Sequence, residues 1–267
     1  MAEPFLTSVD GRISEPAEAT ISVTDNGLVR GDGVFEMLRV YDGAPFGEPE
    51  HLDRLERSAA GIMLPIDRDL VKREAAALLD AANGPDCNLR ILLTRGGRRV
   101  MMLEAPIIHP ETVSVASVSF APSIVLTGVK SLSYAANEQA TRLAAEKGAD
   151  EAVLVRPDDV VLEAPTSSIF WVSAEGGLRT PPLELGILDS ITRGFLVREL
   201  HVEEGIWPLT ELRGAHEAFL ASTTREVQAI SAIDGRPLPE VPGSHTRDAQ
   251  AAYRRLVGQA TGNDAGH

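Results

Sequence analysis

The stretch TGVKSLSY, Thr127 to Tyr134, decides how the chain is read, because Lys130 at its centre is one of only three lysines in 267 residues. The other two have plain explanations. Lys72 lies in DRDLVKREAAALLD on the charged side of a helical pattern, and Lys147 closes a helical run at EKG, where a cation suits a helix C-terminus. Lys130 follows Ile124, Val125, Leu126 and Val129 and precedes Leu132, so Ile124 to Leu132 reads as an apolar strand. An ammonium is costly in such a setting, and a neutral amine that can attack a carbonyl is favoured. A strand-end lysine facing solvent explains this window equally well, so the rest of the chain has to decide.

Outward from that stretch, the length suffices for one large or two modest domains. Before it, strands are expected at Phe5-Leu6, Ile21 to Thr24 and Val34 to Val40, with turns at Asp10-Gly11, Asn26-Gly27 and Asp42-Gly43. Helices follow at His51 to Ile62 and Asp67 to Ala82, then strands at Leu89 to Thr94 and Thr112 to Val118. This makes residues 1–119 an N-terminal α+β domain and residues 120–126 a linker. Residues 127–267 form the second domain, with a helix over Asn137 to Lys147 and a hairpin around Pro157-Asp158-Asp159. It continues with a strand at Ile169 to Ser173, a helix capped by Ser190, strands at Ala218 to Ala221 and Val227 to Ile233, and a helix at Arg247 to Leu256. A disordered tail is expected over 258–267.

Composition excludes several classes of function. A formal net charge of −14 disfavours nucleic acid and anionic membranes as partners. No apolar run has membrane-spanning length, and Met1-Ala2-Glu3-Pro4 leads into acidic sequence without a basic, apolar leader, so a cytoplasmic location is expected. The lone Cys87 permits neither an intramolecular disulfide nor a cysteine zinc site.

Four polar features fall at the ends of elements. Ser190-Ile191-Thr192-Arg193 opens a helix, whose free amides favour an anion, and Ser222-Thr223-Thr224 ends an apolar strand with three hydroxyls. Each is an ordinary cap or turn when taken alone; together they can enclose one phosphate. Arg54 offers a fork that matches phosphate oxygens, and Glu163 places a carboxylate after a buried-looking strand, where it needs a cation. A lysine amine, a phosphate cradle and such a carboxylate are what pyridoxal 5′-phosphate requires.

At this point the chain resembles the class IV, fold-type IV, pyridoxal-phosphate aminotransferases. The likeness runs from about Ile21 to Gly235 and is strongest in VKSLSYAANEQATRLAAEKGADEAVLV, VVLEAPTSSIFWV, LRTPPLELGILDSITR and FLASTTREV. It implies an α/β fold, an α+β domain followed by an α/β pseudo-barrel domain, with the cofactor between them, and a homodimer. It implies Lys130 as the Schiff-base residue and proton shuttle, and Glu163 as partner of the ring nitrogen. Arg54, Ile191, Thr192, Ser222 and Thr223 are implied phosphate ligands, and Leu188 packs on the ring. Phe35 and Glu36 of RGDGVFE are implied on the substrate side, with Thr224 beside them.

The chain departs from the family in ways that bear on substrate. EAPTSSIF stands where EGSSSNIF is usual, and Phe35 where D-amino-acid members carry tyrosine. LTRGGRRVMML puts Arg95, Arg98 and Arg99 in one short stretch, to be read either as a substrate-carboxylate trap or as a hairpin tip paired to surface acids. The expected reaction is transamination of D-amino acids, with (R)-amines also accepted. The alternatives are a branched-chain L-amino-acid aminotransferase and an aminodeoxychorismate lyase releasing 4-aminobenzoate and pyruvate.

Overall fold

Apolar residues alternate through GVFEMLRVY, and Val34, Leu38 and Val40 are all buried on one face of the strand they form. The structure, a computed structural model, describes residues 3–262. Two units are distinguished. The first comprises residues up to Ile108 together with Val129–Tyr134 and the residues from Val257 onward; the second comprises His109–Gly128 and Ala135–Leu256.

In chain order the first unit contains β1 (Pro4–Val9), β2 (Arg12–Ser14), α1 (Asn26–Arg30), β3 (Gly33–Tyr41) and β4 (Ala44–Pro45). It continues with α2 (Glu48–Gly61), α3 (Arg68–Ala81), β5 (Cys87–Thr94) and β6 (Arg99–Glu104). The strands make one sheet in the order β2-β1-β6-β5-β3-β4, with every pair antiparallel. Leu52, Leu55 and Ala59 of α2 and Val71, Ala75 and Leu78 of α3 form one core with Leu89, Ile91, Met101 and Leu103 of the sheet. The spacing of three and four residues that announced these helices is their buried stripe. Asp67 caps α3 by accepting from the Leu70 amide at 2.9 Å.

The edge of β3 at residues 33–35 takes its partner from far along the chain. Leu132 N–H donates to Gly33 O at 2.9 Å, Phe35 N–H donates to Lys130 O at 3.0 Å, and Val34 and Ser131 face each other in an antiparallel bridge. This approach requires glycine at position 33. A Cβ there would lie 2.3 Å from Leu93 O and 2.6 Å from Leu132 Cδ1.

The second unit contains β7 (Thr112–Ser119), α4 (Ala135–Glu146), β8 (Glu151–Val155), β9 (Ser168–Val172), β10 (Leu178–Thr180) and α5 (Ile191–Glu199). Then come β11 (Glu203–Glu204), α6 (Leu209–Arg213), β12 (Glu217–Ser222), β13 (Glu226–Ile233), β14 (Arg236–Pro237) and α7 (Ser244–Thr261), the last turn of which, from Val257, is grouped with the first unit. The sheet order is β11-β10-β9-β12-β13-β7-β8, with β14 beside β13. β7 lies parallel to β8 and β13, and α4, which links β7 to β8, buries Ala140 and Ala144 against Val118 and Leu154. Each unit thus combines a sheet with helices, the α/β class expected.

Several expected boundaries move. Thr112 to Val118 was assigned to the N-terminal domain of 1–119, but as β7 it pairs with β8 and β13 and belongs to the second unit. Conversely, Val129–Tyr134 was assigned to the second domain of 127–267 and clusters with the first unit, because its backbone bonds go to β3. Ile124 to Leu132 is not a continuous strand: Ile124–Leu126 is a short 3-10 turn with Ile124 and Val125 89% and 82% exposed, and Gly128 has φ +69°. Ile21 to Thr24 forms no strand. The Asn26-Gly27 turn is instead the first turn of α1, capped by Asp25, whose carboxylate accepts from Gly27 N–H at 2.7 Å and Thr94 Oγ1 at 2.9 Å. The last helix runs past Leu256 to Thr261, so the expected tail begins inside it; residues 263–267 lie outside the described residues. Its first turn is fixed by Glu217, which accepts from the His245 and Thr246 amides and from Thr246 Oγ1.

Gly33→Ala should therefore lower the stability of the first unit by about 1–3 kcal/mol, the usual cost of overpacking. Thermal unfolding checks this, and a variant melting with the wild type would disprove the close approach.

Candidate functional site

In the first unit three side chains of one face of α2 converge on the strand and segment just described. Glu36 follows Phe35 on β3, so it points to the face on which Val34 and Leu38 are buried, and it is itself wholly buried. Its carboxylate accepts from Arg54 Nε at Oε1 and from Arg54 Nη2 at Oε2, both at 2.7 Å, and His51 Nδ1 lies 2.7 Å from Oε2. One turn on, Ser58 Oγ accepts the Lys130 N–H at 3.1 Å. Phe35 lies on the other face of β3, and its ring centroid is 4.3 Å from Lys130 Nζ. Tyr134 completes the setting, edge-on to Phe35 at 5.3 Å and 5.9 Å from the same nitrogen. Cation–π attraction of this kind holds an ammonium over a ring face.

The electrostatics follow from burial. Burial by itself raises the Glu36 carboxyl, but the Arg54 charge and its hydrogen bonds, with those of His51, outweigh it and hold the group well below the usual carboxylate range. Burial lowers His51 below its ordinary value; the bond and charge of Glu36 oppose this, and the charges of Arg54 and Lys130 reinforce it. A buried carboxylate is thus ionised against one guanidinium, with a neutral imidazole as donor.

The second unit gathers the other expected residues. Glu163 accepts the Leu188 N–H at 3.1 Å through Oε1, and its backbone carbonyl takes the Leu154 N–H at 2.8 Å, which seats it beside β8. The Ala164-Pro165 departure still makes a tight turn, with Ala164 N–H on Ser167 O at 2.8 Å and Asn137 Nδ2 on Pro165 O at 2.8 Å. Ser190 caps α5 by accepting from Arg193 N–H at 3.3 Å. This leaves the amides of Ile191 and Thr192, both buried residues, without an intrahelical acceptor. α5 packs on β12, whose end carries Ser222, Thr223 and Thr224, all half-buried; Ser222 Oγ accepts from Arg225 N–H at 3.4 Å. The buried hydroxyls of Ser167 and Ser168 have no hydrogen-bond partner among the described residues. A helix start with free amides, hydroxyls without a partner and a carboxylate, all in one unit, are the groups that suit a ligand with an anionic group and a polar ring.

The arginines of the β5–β6 turn follow the second of their two readings. Arg95 bonds Asp32 and the carbonyls of Ile62 and Met63 at the end of α2; Arg98 pairs with Asp10, and Arg99 with Glu74. Of the three lysines, Lys72 pairs with Glu48 and Lys147 donates to Ser117 O. The contributions of His51, Ser58 and Tyr134 escaped the sequence reading. The signal for the first two is their spacing from Arg54, three residues before and four after, which is one face of a helix.

Known proteins similar to this chain fall in one family. The family model for amino-transferase class IV matches residues 33–233. A D-alanine aminotransferase of Bacillus licheniformis is 32% identical, over 93% of this chain and 95% of its own. The solved fold IV-transaminase of Curtobacterium pusillum is 30% identical with TM-score 0.81, over 90% of this chain and 92% of that one. The branched-chain aminotransferase of Thermoproteus uzoniensis, solved with norvaline, is 28% identical with TM-score 0.86, over 98% and 97%.

Both Glu36 and His51 take up protons less readily here than in an unfolded chain. Their stabilisation is complete above the unfolded values, 6.5 for histidine and about 4.3 for glutamate, and is lost as pH falls toward the folded ones. Between about pH 7.5 and about 5.5 the wild type should lose more thermal stability than His51→Gln, in which no proton is taken up at this position. Parallel melting curves would contradict the buried neutral imidazole.

Proposed function

This chain belongs to the class IV amino-transferase family, and on that premise we propose that it is an aminotransferase whose preferred donors are D-amino acids, with (R)-amines also accepted. Its cofactor is pyridoxal 5′-phosphate, the cofactor of the family. When bound, that group supplies a carbonyl to capture amines and a ring to accept the electrons of the broken Cα–H bond. The observation that carries the reading is Lys130. It is the one lysine whose Nζ lies among aromatic rings and whose backbone is bonded on two sides, to β3 and to α2.

In this proposal Lys130 gives the amine that the donor displaces, then takes the α-proton and returns it. Glu163 stays ionised to keep the ring nitrogen protonated. In the second unit the Ile191 and Thr192 amides, with Ser222 and Thr223, are the phosphate ligands and Leu188 packs on the ring; in the first unit Arg54 is the residue whose fork matches phosphate oxygens. Glu36 holds the Arg54 fork in its orientation. Phe35 in the first unit and Thr224 in the second are the substrate-side residues of this reading. With Arg95, Arg98 and Arg99 each committed to an acid, the donor carboxylate is assigned to none of them, which favours tolerance of amines that lack one. The protein is read as a cytoplasmic homodimer, which light scattering on the purified protein tests.

The decisive experiment is the visible spectrum of the loaded protein, with D-alanine, L-leucine or (R)-1-phenylethylamine added and no keto acid. Bleaching by D-alanine and more slowly by the (R)-amine is the expected outcome. Bleaching by L-leucine alone would replace this reading with the branched-chain one, and sustained pyruvate release from aminodeoxychorismate would replace it with the lyase. Lys130→Ala should abolish turnover while retaining part of the phosphate-anchored cofactor; normal turnover would sink the mechanism.

A further inference from the structure

One face of α2 presents His51, Arg54 and Ser58, at spacings of three and four residues, and all three are buried. The first two serve Glu36. Ser58 serves the segment that carries Lys130. Where that segment lies along β3, the Lys130 carbonyl takes the Phe35 N–H and the Leu132 N–H goes to Gly33 O, while the Lys130 N–H donates to Ser58 Oγ on α2. The same helix end touches the preceding residue: a Cβ on Gly61 would lie 2.8 Å from Val129 Cγ2. Arg95 fixes that end through the Ile62 and Met63 carbonyls.

A serine is a poor choice at this point on general grounds. It is a weaker helix former than alanine, and in a residue only 1% exposed its hydroxyl must find a partner. The partner it has is the Lys130 amide. We propose that Ser58 is a positioning residue for Lys130. Its hydroxyl fixes the backbone from which the reactive amine extends, so that α2 sets Glu36, Arg54 and Lys130 in one register. The proposal rests on the aminotransferase reading for its consequence in turnover, and on the hydrogen bond alone for its consequence in structure.

Two measurements on Ser58→Ala and Ser58→Thr test it. Alanine favours the helix, so the fold should be kept, and cofactor affinity should stay within about threefold because Ser58 is itself no phosphate contact and the Glu36 bonds still hold Arg54. Misplacement of a reacting group by a fraction of an ångström should lower kcat on the order of 10-fold in Ser58→Ala, with KM changed less than about threefold. Ser58→Thr keeps the hydroxyl and should recover most of kcat. In the cofactor-free protein, amide exchange in the peptide covering 129–134 should be about 10-fold faster in Ser58→Ala, as expected for loss of one buried bond, with β5 unchanged. Unchanged exchange in that peptide would overturn the proposal, as would a Ser58→Ala kcat equal to the wild type. If the wild type transaminates no donor, the functional reading fails, and the exchange result still decides whether Ser58 holds Lys130.

Discussion

The backbone pairing of residues 130–132 with the edge of β3 is the constraint on which the rest depends. A strand edge carries unpaired N–H and C=O groups that must be satisfied, and at residues 33–35 they are satisfied by a segment nearly a hundred positions later. Gly33 leaves room for Leu93 O of β5 on one side and the Leu132 side chain on the other, and Ser58 takes the amide that the pairing leaves over. Lys130 is thereby delivered beside Phe35 and Tyr134 by main-chain bonds, which hold a position better than a long, flexible side chain could.

The buried carboxylate next to it follows from the same strand. Alternation along β3 turns Glu36 into the core, where it would be intolerable alone. Arg54 neutralises it through two parallel bonds and His51 fills a remaining lone pair without adding charge. Such a cluster is a device for orientation more than for stability, since an apolar replacement would pack at least as well. Its effect is to fix the plane of the Arg54 guanidinium.

The second unit contrasts two helix beginnings. α7 starts on Glu217, a carboxylate from β12 that occupies its free amides. α5 starts on Ser190, a neutral cap that accepts from Arg193 N–H and leaves the Ile191 and Thr192 amides without an intrahelical acceptor. Free amides at such a helix start suit an anion that the protein has not supplied itself. The hydroxyls of the β12–β13 turn and of Ser167 and Ser168 sit in the same unit.

What the sequence by itself determined was local or carried by motif. The period of three and four in α2 and α3, the alternation in β3, the Ser190 cap and the block around Lys130 are each encoded within a few neighbouring residues, because periodicity and capping are short-range physics. Tertiary structure alone decided the rest. An apolar run from Ile124 to Leu132 looked like a strand, yet whether a strand forms depends on an edge to pair with, and only Ser131 bridges to one. The arginines at 95, 98 and 99 left two readings open in the sequence, a carboxylate trap or a paired hairpin tip, and their ties to Asp32, Asp10 and Glu74 exist because folding brings those acids near. Ser58 draws no reading from the sequence around it; its meaning lies in a hydrogen bond to a residue 72 positions away, which no local pattern can carry.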